Sequence, residues 1–425
     1  MDAAVDMHLY NTQTRRLQLF QPANPVSIYV CGITPYDTTH LGHAFTYANA
    51  DILIRFLESQ GYPVRYVQNV TDIDDDILRK AAEAGEDWRT LGNRWTAHFI
   101  RDMLALNIRP PEALPRASSV IPEIIELAQS LVGQGRAYVS GGSVYYAVAA
   151  WPDFGALSHL PTHAMLPVAN DRGNRPDDPN KRDPLDFVLW QAQAPGEPAW
   201  ASPWGPGRPG WHIECSALSM RHLGPTVDVH GGGSDLIFPH HECEIAQSEA
   251  VTGERPFARV WMHSAMVEHQ GAKMSKSLGN LVMVADLLEQ WPPDALRLYL
   301  GRHHYRSVWS HDAAELEQAG QLAASLTAAA TAESGNREPL AHSNADAAFA
   351  AAMEADLDTP AALAVMGSFA GEILAAAEAG RHVTAAQASL REMTRIFGLR
   401  LEANAVEPHV TAGWSSHLLE FAEGA

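Results

Sequence analysis

The sequence predicts an α/β protein: a parallel sheet split by an insertion and followed by an α-helical C-terminal domain. Three observations carry this. A short apolar run, Val26 to Gly32, leads through a turn into a long apolar-periodic segment, Leu41 to Gln60, and then into a second apolar run, Val64 to Val70. Strand, helix and strand in that order make a β-α-β unit, whose crossover lays the two strands parallel. Residues 161–186 are rich in Pro, Asp, Asn and Arg and lack periodicity, which marks a loop or insertion between two halves of a core. From about His311 the chain is Ala-rich, with helical runs broken at 334–343 and at Gly380.

Taken in order, Gly61 ends the first helix, helical patterns dominate from about Asp74 to Gly135, and a strand-like segment holds Val144, Tyr145 and Tyr146. The core resumes near Trp211. Val227 to His230 reads as another strand, ending in a tight turn at Gly231 to Gly233, and Glu242 to Val251 reads as a helix. This gives four parts: 1–112, the first half of the core; 113–207, the insertion; 208–310, the second half; and 311–425, the helical domain, which is expected to be truncated.

A chain of 425 residues with 46% hydrophobic content has enough apolar mass for a core plus smaller domains, which excludes disorder as its dominant state. No stretch approaches the ~20 continuous apolar residues of a membrane helix, and the start lacks a basic-then-apolar signal pattern. The expectation is a cytoplasmic monomer with no membrane partner. Only three cysteines occur, Cys31, Cys215 and Cys243, so thiols or metal ligands are favoured over a disulfide framework. With 30 Lys+Arg against 50 Asp+Glu, the net charge of −20 opposes non-specific attraction to polyanions. Residues 311–425 hold sixteen acidic residues, five arginines and no lysine. A nucleic-acid partner therefore needs a local basic track elsewhere.

The turn after the first strand reads CGITPYDTTHLGH, with His40 and His43 around Leu41-Gly42 at a helix start. Free amides and the positive dipole end of a helix, with two imidazoles beside them, suit charge building on a triphosphate, although capping histidines fit the same pattern. Downstream lies Lys273-Met274-Ser275-Lys276-Ser277, then Leu278-Gly279-Asn280. Two lysines and two hydroxyls there suit a leaving pyrophosphate, and equally a solvated basic loop. Cys31, Cys215 in WHIEC, and His240 with Glu244 four residues apart make a plausible tetrahedral metal set. The spacing does not separate this from two buried cysteines and an ordinary histidine.

HIGH after a first parallel strand and KMSKS after a later one resemble the signature pair of class I aminoacyl-tRNA synthetases. The longer stretches resemble the cysteinyl-tRNA synthetase family over roughly residues 7–400: LYNTQTR at 9–15, NVTDIDD at 69–75, RPGWHIECSA at 208–217, HGGGSDLIFPHHE at 230–242, EIAQSEA at 244–250, KMSKSLGN, and HYRS at 304–307. The resemblance implies a class I synthetase Rossmann-type sheet and one Zn2+ held by Cys31, Cys215, His240 and Glu244. It implies that Gly32, Thr71 and Trp211 line the cysteine pocket, with Thr34 a further substrate contact. His40, His43, His230, Asp235, Lys273 and Lys276 would serve the adenylate and its phosphates. The implied reaction is activation of L-cysteine by Mg2+-ATP to the cysteinyl adenylate, then transfer to the 3' end of tRNA-Cys.

The departures concern the acceptor. Phe45 stands where the family commonly has Arg, and Pro35 and Gln68-Asn69 also depart from its wording. These same positions resemble a sister family, the mycothiol-pathway ligases, which join cysteine to the amine of glucosaminyl-inositol. Glu244, PRAS at 115–118 and HYRS instead read as synthetase. Cys243, where the family usually has Asn, is either a second thiolate near the metal or a packed thiol.

Overall fold

The computed structural model describes residues 6–36, 39–274, 279–401 and 407–422. An antiparallel hairpin, β1 (His8–Asn11) and β2 (Arg16–Leu19), precedes the core. The core sheet begins with β3 (Val26–Ile33), crosses over through α1 (Leu41–Ser59) and continues in β4 (Val64–Val70). β3 is buried along most of its length, as a strand covered by helices on both faces must be, which is why it reads as an unbroken apolar run. The strands β9 (Val227–Gly233) and β10 (Ala258–Ser264) enter on its other side, so that the order is β10-β9-β3-β4, all parallel. The connection therefore changes direction between β3 and β9, and the crevice outside their carboxyl ends is where such sheets hold ligands.

After β4, Asp74 caps α2 (Asp75–Ala84) by accepting a hydrogen bond from the Ile77 amide at 2.8 Å, and Asp87 caps α3 (Trp88–Ala105). Residues 113–116 run alongside β4, the Gln68 amide donating to the Ala113 carbonyl at 3.2 Å and the Val70 amide to that of Pro115 at 2.9 Å. The inserted portion beyond them carries α4 (Ile121–Gly133) and an antiparallel sheet of β5 (Ala137–Ser140), β6 (Ser143–Tyr146), β7 (Phe187–Ala192) and β8 (Gly207–Pro209). The segment 161–186, expected to be a loop, contains α5 (Thr162–Asn170), which even carries Pro167 in its interior, so composition masked a short apolar face with Met165 and Ala169 buried. The chain returns through α6 (Trp211–Leu223) and, after β9, α7 (Glu242–Thr252).

A small sheet of β11 (Val267–His269), β12 (Ala272–Lys273) and β13 (Trp309–Ser310) flanks the signature loop, with α8 (Val284–Leu288) and α9 (Pro293–Gly301) between its strands. The helical domain comprises α10 (Ala313–Thr331), α11 (Ser343–Glu354), α12 (Thr359–Glu378) and α13 (Thr384–Ile396). The breaks at 334–343 and Gly380 are more than interruptions: they hold β14 (Arg337–Pro339) and β15 (Arg381–His382), which pair parallel. Contrary to the sequence expectation, α12 is long and apolar enough to cross a membrane. Its buried face, with Leu363, Met366, Phe369 and Ile373, packs on α10, α11 and α13, as a core helix does. A last helix, α14 (Pro408–Ala422), lies on α3, the Trp414 indole donating to the Ile108 carbonyl at 2.7 Å.

The helical domain is locked to α1 by buried charge. Asp51 accepts from Arg55 Nε at 2.9 Å, from the Arg109 amide at 2.9 Å and from Arg297 Nη2 at 2.5 Å. Arg297 Nε donates to the Phe397 carbonyl at 2.7 Å, and Arg55 reaches Glu407 at 2.7 Å. Burial by itself would raise the Asp51 carboxyl, but the two guanidinium groups hold it below its usual range. Replacing Asp51 by Ala strands the buried Arg297 and leaves Arg55 with Glu407 alone, so Asp51→Ala should lose roughly 3–5 kcal/mol, read as a lowered midpoint in urea and thermal unfolding.

Candidate active site

The site forms at the crevice between β3 and β9. Cys31 ends β3, Cys215 lies in the second turn of α6, and His240 and Glu244 flank the start of α7. Their donor atoms all lie within 4.8 Å of one another, with all four residues buried. The Cys31 and Cys215 sulfurs are 3.7 Å apart, Cys31 Sγ is 3.6 Å from Glu244 Oε1, and His240 Nε2 is 3.1 Å from that same oxygen. Close approach of β3 and β4 sets this geometry. The Gly32 amide donates to Asn69 Oδ1 at 2.8 Å, and a Cβ on Gly32 would fall 1.5 Å from the Asn69 carbonyl oxygen, so no other residue fits. Asn69 also donates to Thr71 Oγ1 at 3.2 Å and lies 3.6 Å from the Cys215 sulfur.

A second layer of imidazoles backs the donors. His230 Nε2 meets Glu244 Oε2 at 2.9 Å, and His241 Nε2 lies 3.2 Å from the Cys31 sulfur. His241 in turn meets His263 at 2.7 Å, and His263 meets Thr12 Oγ1 at 2.7 Å. Burial pushes His230 and His263 down to about 3 and lowers His240 and His241 well below the usual imidazole range. Burial also raises the Cys31 thiol and the Glu244 carboxyl well above theirs, with Cys215 adding to the shift on Cys31. None of these groups carries charge in so dry a pocket unless a cation joins them.

Above this floor lies a cavity of about 340 Å³ lined by Gly32, Thr34, Thr71, Trp211, Asp235 and Lys273, together with His40, His43 and three of the four donors. The Trp211 indole stacks on His240 with ring centroids 4.4 Å apart. At its rim, His40 caps α1 by accepting from the Gly42 amide at 3.1 Å, and its ring stacks on His43 at 3.8 Å. The capping role is therefore real, and it aims both imidazoles at the cavity. Asp235 is held by Arg172 at 3.2 Å and by Lys273 at 3.4 Å. Lys276 lies outside the described residues.

Residues 19–321 match the catalytic domain of the class I (C) tRNA synthetases, and residues 348–402 match the DALR domain. The chain belongs to the class I (C) tRNA synthetase family. Among curated members it is 46% identical to the L-cysteine:1D-myo-inositol 2-amino-2-deoxy-alpha-D-glucopyranoside ligase of Thermomonospora curvata, over 91% of this chain and 92% of that protein. It is 49% identical to the cysteine--tRNA ligase of Thermosynechococcus vestitus, over 85% of this chain and 76% of that protein. In fold it is similar to the Mycobacterium tuberculosis methionyl-tRNA synthetase in complex with methionyl-adenylate, with a TM-score of 0.62 at 19% identity, covering 94% of each chain.

Two residues singled out in the sequence lie away from this cavity. His230, expected to serve the adenylate, is fully buried beneath Glu244 and does not line the cavity, because its strand position faces inward. Cys243 is buried among apolar residues and is not among the clustered donors, as a packed thiol is placed. The sequence reading gave no site role to Asn69, His241 or His263. Two polar residues, Gln68 and Asn69, in the buried end of the run Val64 to Val70 were the available signal for Asn69; nothing in the spacing distinguishes His241 from its neighbour His240.

Metal analysis of purified protein should accordingly find Cys243→Ala as fully loaded as wild type and Glu244→Ala depleted. A pH effect arises nearby. Burial, with Asp76 and Asp75 adding, raises the Asp74 carboxyl to about 7, so native stability falls as pH rises from the ordinary carboxylate range to about 7 and stays reduced above it. Asn keeps the helix cap without the charge. Asp74→Asn should thus melt a few degrees above wild type at pH 8, with the gap narrowing as pH falls toward 5 and native Asp74 takes up its proton.

Proposed function

We propose that this chain is a cytoplasmic ligase that activates L-cysteine with Mg2+-ATP as the cysteinyl adenylate and transfers it to the 3' end of tRNA-Cys. The observation that carries this reading is the convergence of two thiols, an imidazole and a carboxyl on the floor of the cavity whose rim holds His40 and His43.

The donor set fits zinc. A tetrahedral zinc with bonds of about 2.3 Å to sulfur and 2.0 Å to oxygen or nitrogen needs sulfur–sulfur, sulfur–oxygen and nitrogen–oxygen edges of about 3.8, 3.5 and 3.3 Å. The corresponding separations are 3.7, 3.6 and 3.1 Å. When bound, such an ion offers a site that prefers a thiolate over a hydroxyl, which distinguishes cysteine from serine. Trp211, Gly32 and Thr71 then confine a small side chain against that floor. His40 and His43, at the positive end of α1, stabilise charge building on the α-phosphate as the cysteine carboxylate attacks it. Lys273, on the cavity wall, meets the departing pyrophosphate, and the signature motif gives Lys276 the same role, in a displacement governed by positioning and charge.

The second reading keeps the first step and changes the acceptor to the amine of glucosaminyl-inositol. It is supported by the Thermomonospora curvata ligase, aligned over nearly its whole length, and by an acidic helical domain unsuited to phosphates.

Pyrophosphate should exchange into ATP only with cysteine present, and His43→Ala should slow that exchange by roughly 10²-fold or more. Purified protein given labelled cysteine, Mg2+-ATP and either tRNA or glucosaminyl-inositol should label the tRNA; label on the amino sugar alone would establish the second reading.

A further inference from the structure

A larger cavity of about 530 Å³ opens beside the first and shares Thr34, Tyr36 and Trp211 with it. The segment 71–76 that follows β4 borders both: Thr71 lines the smaller cavity, while Asp74, Asp75 and Asp76 line the larger. Asp72 lies within this segment and lines neither. It is buried, and both of its carboxylate oxygens go to one residue, Oδ1 accepting from the Ser118 amide at 2.9 Å and Oδ2 from the Ser118 hydroxyl at 2.5 Å. Ser118 stands 46 residues further along the chain, at the root of the insertion.

Burying a carboxylate is costly, and the two bonds from Ser118 offset that cost only while the two segments stay together. The Thr71 amide donates to the Ile33 carbonyl at 2.9 Å and its hydroxyl accepts from Asn69 at 3.2 Å, but β4 ends at Val70, so no sheet ladder continues past it. Ser118 belongs to a short turn, Ala117–Val120, that packs on α6, the helix carrying Trp211 and Cys215. One carboxyl therefore ties the Thr71 wall of the smaller cavity to the helix that supplies another wall and a metal donor. Burial raises the Asp72 carboxyl, and the Ser118 bonds and the Arg116 charge oppose that rise. Arg116 is itself held by α14: its guanidinium lies 4.1 Å from the centroid of the Phe421 ring, and its Nη2 donates to the Glu420 carbonyl at 3.3 Å.

We propose that Asp72 is a positioning residue for cysteine binding: its clamp on Ser118 fixes Thr71 against the bound amino acid and holds α6 in place beside it, and α14 braces the clamp through Arg116. This rests on the cysteine-activation reading. Asp72 acts through Thr71 and Trp211, whereas the phosphates of ATP meet His40, His43 and Lys273, which hang from other elements. Its loss therefore falls on cysteine and spares ATP. A displacement of about 1 Å in a group that positions a substrate costs on the order of 10²-fold.

The test measures cysteine-dependent exchange of pyrophosphate into ATP by the full zinc-loaded chain, with each substrate varied in turn. Asp72→Ala should raise the KM for cysteine by about tenfold or more and leave that for ATP within about twofold of wild type. Asp72→Asn keeps an acceptor for the Ser118 amide and meets the Ser118 hydroxyl with its own NH2, so it should return the cysteine KM to within about threefold of wild type. Ser118→Ala, which keeps the amide bond and carries the test if Asp72→Ala does not fold, should raise the cysteine KM by about threefold to tenfold. Phe421→Ala should raise it by about twofold to fivefold, again sparing ATP. Merely structural damage would instead lower the active fraction or raise both KM values together. That result, an unchanged cysteine KM in Asp72→Ala and Ser118→Ala, or no recovery in Asp72→Asn would overturn the positioning role while cysteine activation stands. No effect of Phe421→Ala would overturn the brace from α14. Absence of exchange in wild type would remove the activation reading on which the proposal rests.

Discussion

Two thiols, an imidazole and a carboxyl buried together at the switch point of a parallel sheet impose the constraint on which this architecture turns. Each group is costly to bury in its charged form, and burial shifts Cys31, His240 and Glu244 toward neutrality. A divalent cation reverses that cost, because it favours thiolate and carboxylate over their protonated forms. The surrounding fold delivers these donors from three separate elements, β3, α6 and α7. It backs them with imidazoles rather than water, and it closes β3 on β4 so tightly that only glycine fits at position 32. Geometry of this kind is stable only if the elements bringing the donors are themselves fixed.

The Asp51 network supplies part of that fixation. The helix whose N-terminus carries His40 and His43 is held midway along its length by Asp51 and Arg55, which reach α9, the end of α13 and the segment before α14. The helical domain therefore contributes to the active site without touching it. Phe45 belongs to the same logic: it is fully buried, with its ring edge against Trp309 at 5.4 Å, so this departure from the family wording packs α1 onto the small sheet beside the signature loop.

Much of this was legible in the sequence because periodicity and motif coincide with physical need. The run Val26 to Gly32 had to be a covered strand, and Leu41 to Gln60 a largely buried crossover helix. The ligand quartet was legible only through resemblance, since residues 31, 215, 240 and 244 are joined by topology rather than spacing. What escaped was contact-dependent. The inward facing of His230 depends on the pleat register of β9, the role of Asn69 on how closely two strands approach, and the helix inside 161–186 on a short apolar face outnumbered by turn-forming residues.

Charge distribution explains how one acidic chain can run two half-reactions. The smaller cavity concentrates imidazoles, a helix N-terminus and Lys273 at its rim, so it is the place where phosphate charge is tolerated. The larger one mixes both signs and ties two of its cations, Arg175 and Arg208, to its own Asp75, leaving little field for a polyanion. A chain of net charge −20 does not draw in nucleotides by its overall field. Selectivity for where each substrate goes must then be local, set by which wall of the crevice it meets, with Thr34, Tyr36 and Trp211 common to both cavities.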